Sequence, residues 1–154
     1  MDFNSKSNVV KTGATICKGI KDDIKKVDAV FEYVVDNIKY DYDKAKKVPQ
    51  GYLPDVDSVL KKKKGICFDY AAVMASMLRS QNIPTKLVIG YTGKQYHAWL
   101  DVYIDDVGWV ASAIYFDGKD WSIMDPTFAS TGKKGDEVMK YITNASNYVA
   151  KYAY

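Results

Sequence analysis

The chain holds one histidine and two cysteines, so any thiol chemistry has few places to occur. His97 lies in Tyr96-His97-Ala98-Trp99. Cys67 lies upstream in Gly65-Ile66-Cys67-Phe68-Asp69-Tyr70-Ala71, and Asp125 lies downstream in Met124-Asp125-Pro126-Thr127. The order Cys, His, Asp outlines a thiol nucleophile, the base that takes its proton, and a carboxylate that orients the base. Each residue alone has a plainer reading: an inert buried cysteine, a structural histidine, and a turn-forming Asp-Pro. Together they point to attack on a carbonyl and transfer of the acyl group.

A cysteine attacks as the thiolate, so the position of Cys67 matters. It opens a helical pattern, where unpaired N–H groups and the helix dipole favour negative charge, and this predicts a lowered thiol pKa. Gly65 is expected to permit a tight turn and to leave room for a substrate backbone. The intervals from Cys67 to His97 and on to Asp125 leave room for one helix and two strands, then a further hairpin. The triad requires the His97 ring between the Cys67 sulfur and the Asp125 carboxylate.

The elements that must position these residues follow from periodicity. Asp22-Asp23 caps a helix to about Ile38, with Ile24, Val27, Phe31, Val34, Val35 and Ile38 as its apolar stripe. An earlier helix spans about Val9 to Lys18, ended by Gly19. Asp41 to Pro54 reads as loop, and Asp57 to Lys63 as a short helix capped by Asp57. The cysteine helix runs from Cys67 to about Gln81, burying Tyr70, Ala71, Met74, Met77 and Leu78, and Pro84 prevents its continuation. The period then changes. Thr85 to Tyr91, His97 to Ile104, Trp109 to Phe116 and Trp121 to Met124 read as strands, with Asp105-Asp106-Val107-Gly108 and Asp117-Gly118 as turns. A short helix from Asp136 to about Thr143 and a strand from Tyr148 to Tyr154 complete the chain. Helices followed by consecutive antiparallel strands define an α+β fold, read as one domain over 1–154.

Composition removes several function classes. Hydrophobic residues at 47% and charged residues at 27% suit a globular protein with a real core. The net charge is only +3, and Arg79 is the one arginine, so nucleic acid is an unsuitable partner. The lysines at 44, 46 and 47 and at 61 to 64 read as solvated surface. No apolar run approaches the roughly 18 residues of a membrane span. Two cysteines make no disulfide framework, and Cys17 reads as a small core residue. A metal site built from Cys67, His97 and Asp125 lacks the paired spacings of structural zinc, and no acidic loop suits calcium. No metal or cofactor is expected.

The three segments, with Gly90-Tyr91, Trp121-Ser122-Ile123, Tyr40-Asp41 and Asn82-Ile83-Pro84-Thr85, resemble the core of the transglutaminase-like superfamily over roughly Ile24 to Phe128. The resemblance implies a papain-like α+β fold with the cysteine helix packed on an antiparallel sheet, flanked by an N-terminal helical and a C-terminal extension. It implies a catalytic triad at Cys67, His97 and Asp125. The additional strand-like stretch Gly108 to Phe116 departs from a simple family core and lengthens a hairpin. The oxyanion is expected to lean on the Cys67 N–H and a second donor, for which Tyr40, Tyr42 and Trp99 are candidates. Trp99 and Tyr91 are expected to line the cleft.

The function expected is cysteine-dependent acyl transfer on peptide or carboxamide bonds through a thioester, with hydrolysis slightly favoured over cross-linking. The rival is a binding or scaffold module that keeps the fold without turnover. The expected partner is a protein or peptide substrate, cell-wall peptide among the candidates, and the protein is expected to be a monomer of bacterial type. The start of the chain is too polar for a secretory signal. A secreted or cell-surface location is expected if a leader has been removed, and a cytoplasmic one otherwise.

Overall fold

The computed structural model describes residues 3–92, 95–116, 121–123 and 148–153. The turn at Asp117-Gly118, the helix from Asp136 and the Met124-Asp125-Pro126-Thr127 segment lie outside the described residues. The chain divides into two compact units, Met1–Ile83 and Pro84–Tyr154.

The first unit is built from helices α1 (Asn8–Ile16), α2 (Asp23–Asn37), α3 (Tyr42–Lys47), α4 (Val56–Lys62) and α5 (Cys67–Ser80). Two short strands, β1 (Lys39–Tyr40) and β2 (Lys64–Gly65), pair in parallel, Lys39 opposite Lys64 and Tyr40 opposite Gly65. Helix α2 starts where expected, with the Asp22 side chain accepting from the Lys25 N–H at 3.0 Å. Its buried stripe is Val27, Val30, Val34 and Ile38, rotated from the expected face so that Ile24, Phe31 and Val35 are only half-buried. Each fully buried aliphatic side chain contributes on the order of 1.5–3 kcal/mol.

Two expectations fail locally. The stretch Asp41 to Pro54 is not all loop: Asp41 accepts from the Lys44 N–H at 3.0 Å and starts α3. Because α3 has six residues and buries none of them, it leaves no apolar periodicity to read. Helix α4 is capped by Asp55, not Asp57: the Asp55 carboxylate accepts from Ser58 N–H at 3.1 Å. Asp57 instead reaches the start of α1, accepting from Asn8 N–H at 3.0 Å and Val9 N–H at 2.8 Å. The local N-cap of α1, Ser7, makes no side-chain cap bond, so a carboxylate from a distant helix replaces it.

Helix α5 is buried from Cys67 to Leu78 on every face, not along the single stripe expected. Its Ala71, Ala72 and Ala75 are completely buried. Helix α1 approaches it closely at Gly13, where a Cβ would stand 3.2 Å from the Met77 Cβ. Tyr70 donates its hydroxyl to the Ile38 carbonyl and ties α5 to the end of α2.

The second unit is a five-stranded antiparallel sheet of order β6-β5-β4-β3-β7, with β3 (Thr85–Thr92), β4 (Gln95–Ile104), β5 (Gly108–Phe116), β6 (Trp121–Ile123) and β7 (Tyr148–Ala153). The β4–β5 turn uses positive φ at Asp106 and Gly108. On β4 the alternation holds: Ala98, Leu100, Val102 and Ile104 are buried, while Trp99, Asp101 and Tyr103 are half-buried. The extra stretch after Gly108 is a full strand inserted between β4 and β6. Its Trp109 lies on the outer face, with the Lys86 ammonium 3.9 Å from the ring centroid and Tyr103 edge-on.

Asp57→Ala should destabilise the protein by about 1–2 kcal/mol through loss of the α1 cap. Ser7→Ala should change stability little. Urea unfolding of both variants checks this, and equal losses would count against the borrowed cap.

Candidate active site

The start of α5 gathers groups from three elements of the first unit. Cys67 is the first helical residue and is 3% exposed. Its sulfur meets the N–H of Phe68 and its own N–H. The Cys67 N–H also favours the anionic form of the Tyr40 phenol, at the end of β1, which puts Tyr40 beside Cys67. Tyr42, the first residue of α3, stacks edge-on against Tyr40 at 5.0 Å between centroids and is 69% exposed. Tyr40 therefore stands beside Cys67, and Tyr42 packs against Tyr40.

The expectation of a lowered thiol pKa is overturned. Burial pushes the Cys67 thiol up to about 12, and the Asp69 charge adds to this. The N–H groups at the helix start oppose the shift and lose, because a sulfur with almost no solvent contact forfeits hydration of its anion. The phenol of Tyr40 is also raised to about 12, by burial first and then by the neighbouring Cys67. In this arrangement the thiol keeps its proton until a base removes it.

Asp69, two residues after Cys67, was missed as a site residue. Its side chain is fully buried. Oδ2 accepts from the Ile66 N–H at 2.8 Å and from Lys44 Nζ at 2.6 Å, and Oδ1 accepts from the Tyr52 hydroxyl at 2.6 Å. This is half of a capping box: Asp69 serves the N-cap N–H, and Ile66 has no side-chain acceptor to return the bond. The signal was available, since an acid at the third position of a helix is a capping pattern. The role expected of Gly65 also changes. A Cβ there would lie 2.6 Å from the Asp69 Cβ and 2.9 Å from Oδ2, so the glycine makes room for this carboxylate. Its place in parallel strand β2 makes it no tight turn.

In the second unit His97 occupies the central strand β4, opposite Gly90 of β3, and Tyr96 faces Tyr91. Trp99, two residues further along β4, is half-buried. Beside His97 the β3–β7 register slips between Ile89 and Gly90, so β7 carries one extra residue at the position flanking the His97 partner. The His97 and Tyr91 side chains and all of Asp125 lie outside the described residues. Cys17 is buried, as expected of a core residue, and neither cysteine is in a disulfide. Among the described residues no cluster of His, Cys, Asp and Glu could hold a metal ion.

The model of the transglutaminase-like superfamily matches residues 11–126, and the chain belongs to that superfamily. The UPF0252 protein MJ1282 of Methanocaldococcus jannaschii is 33% identical over 102 residues, covering 58% of this chain and 29% of that protein. A candidate cysteine protease from Cytophaga hutchinsonii superposes with a TM-score of 0.52 at 22% identity, over 71% of this chain and 36% of its own. A candidate protease from Parabacteroides distasonis gives 0.54 at 14% identity, over 75% of this chain and 24% of its own. These likenesses bear on the fold, which is the α+β fold expected of a transglutaminase-like core. The chain spans under a third of the length of its archaeal relative.

Cys67, Tyr40 and Tyr70 all hold their protons more tightly in the folded chain, each raised to about 12 by burial. The stability they contribute is complete below pH 9 and is lost as the pH climbs toward 12. Urea midpoints measured from pH 8 to 11 should therefore fall, with up to about 1.4 kcal/mol per pH unit from the thiol. Cys67→Ser should fall less steeply, and a slope equal to that of the wild type would remove the thiol from this account.

Proposed function

We propose that the chain is a cysteine-dependent acyl-transfer domain in which Cys67 is the nucleophile, His97 the base and Asp125 the carboxylate that fixes the histidine tautomer. What carries the reading is the place of Cys67, first in a buried helix of a transglutaminase-like chain with its N–H and sulfur against Tyr40. The two compact units are read as parts of one catalytic domain, because the family match runs across both.

The chemistry is general-base assisted, since the buried thiol is protonated. His97 takes the Sγ proton as the S–C bond forms on a peptide or carboxamide carbonyl. The C–N bond then breaks, and the amine leaves with that proton, giving a thioester. Water, activated by His97, releases a carboxylic acid; an amine in its place gives a new amide. Hydrolysis is favoured slightly, and the substrate is a protein or peptide, cell-wall peptide included. The proteases among the structural neighbours support this choice. Tyr40 is the preferred second oxyanion donor. Its phenol is electrostatically coupled to Cys67 and its N–H, which supports this role. Tyr42 would extend that wall, with Tyr91 and Trp99 assigned to the cleft.

The rival reading, a module without turnover, draws on the 3% exposure of Cys67. Intact-mass spectrometry with a glutamine-type peptide amide, with and without an added amine, separates the two. The wild type should gain a transient acyl mass and release acid or amide. Cys67→Ala should gain nothing, and Asp125→Ala should turn over far more slowly with an unchanged circular dichroism spectrum. No adduct and no product from any acyl donor would favour the scaffold.

Tyr40→Phe should lower kcat by about 10²-fold, the usual loss for one oxyanion donor, with KM little changed. Steady-state kinetics check it, and an unchanged kcat would exclude the phenol.

A further inference from the structure

The structure assigns Lys44, Tyr52 and Asp69 to a positioning cluster that fixes the first turn of the Cys67 helix and balances the charge beside the sulfur; this rests on the reading of Cys67 as nucleophile. A helix start needs only a carboxylate at its third position. Here that carboxylate is fully buried and also holds a lysine and a tyrosine from another segment. Lys44 Nζ lies 2.6 Å from Asp69 Oδ2 and 2.6 Å from the Tyr52 hydroxyl oxygen, and it sits 4.4 Å from the Tyr52 ring centroid. Tyr52 in turn meets Phe68 edge-on at 6.3 Å. The three side chains thus grip the residues on both sides of Cys67: Ile66 through its N–H and Phe68 through its ring.

Simple packing does not explain the lysine. Helix α3 buries no residue, and its Lys44 makes a polar clamp on Asp69 of α5. A lone buried Asp69 would place an uncompensated negative charge within one turn of a sulfur that must become an anion. The Lys44 ammonium, 2.6 Å from Oδ2, offsets part of that charge at its source, and what is left still raises the Cys67 thiol. Burial draws the ammonium down, yet the bonds to Asp69 and Tyr52 outweigh burial and hold it above its ordinary value, so it is charged at neutral pH. The other titratable groups around this turn are Tyr40 of β1, Tyr42 of α3, Tyr70 of α5 and Asp41, which faces Lys44 and pairs with Lys64 of β2.

The test is the rate of Cys67 alkylation by iodoacetamide against pH, mapped by peptide mass spectrometry with Cys17 as internal reference. It needs no acyl substrate, so its outcome is independent of whether turnover is found. Lys44→Met should slow Cys67 labelling at pH 8 by about threefold or more, equal to half a unit of pH. Lys44→Arg should restore it. Asp69→Asn should move the profile the opposite way, toward lower pH, and the double variant should return near the wild type. A cluster that only supports the fold would move both single variants in one direction, by exposing the thiol. That result, or a Lys44→Met profile that is unchanged or faster, overturns the proposal. If Asp69→Asn does not fold, the Lys44→Met and Lys44→Arg pair decides alone.

Discussion

A carboxylate with no solvent contact needs hydrogen-bond donors within the protein to replace water. Asp69 has three, two on Oδ2 and one on Oδ1, and much of the first unit is arranged around it. Gly65 lacks a side chain because the carboxylate fills that space. The Ile66 N–H, which would otherwise be an orphan at the start of a buried helix, is satisfied by it. Helix α3 and the segment carrying Tyr52 are brought against α5 by it. The turn that presents Cys67 is therefore stiff, and its stiffness is electrostatic in origin.

That origin sits in tension with the chemistry. The burial that lets hydrogen bonds define the turn also withholds hydration from the thiolate. A helix start cannot offset both desolvation and a nearby carboxylate. In the proposed reaction, thiol ionisation is then coupled to the arrival of the base or the substrate. Such coupling restricts the reactive anion to the moment it is used, which suits a free thiol among acyl donors and oxidants.

The longer sheet strands and the long helices were legible from alternation on β4, helical spacing on α2 and the Gly65 and Pro84 that bound α5, whereas the two-residue strands β1 and β2 carry no period and were not read. What escaped was what periodicity does not encode. Helix α3 is short and buries nothing, so it has no stripe. Asp57 sits where a local cap is plausible, but its partners are 48 and 49 residues away. At the site, residue types and order marked Cys67, and the helical pattern after Gly65 placed it correctly at a helix start. The direction of its pKa was missed, because the dipole is local and visible in sequence while desolvation depends on everything packed around the sulfur. Lys44 and Tyr52 were invisible for the same reason: they belong to the site only through a contact with a residue far along the chain.

The borrowed cap on α1 has a consequence for how the molecule opens. Helix α1 has nine residues, too few to persist alone in water, and its first amides are satisfied only when Asp57 is docked. Its unfolding is thus not private fraying at a chain end. Losing either partner exposes the other, so α1 and the start of α4 open and close as one cooperative unit. Amide protons at Asn8 and Val9 should exchange with solvent through the same opening event as those of α4, although half a hundred residues lie between them.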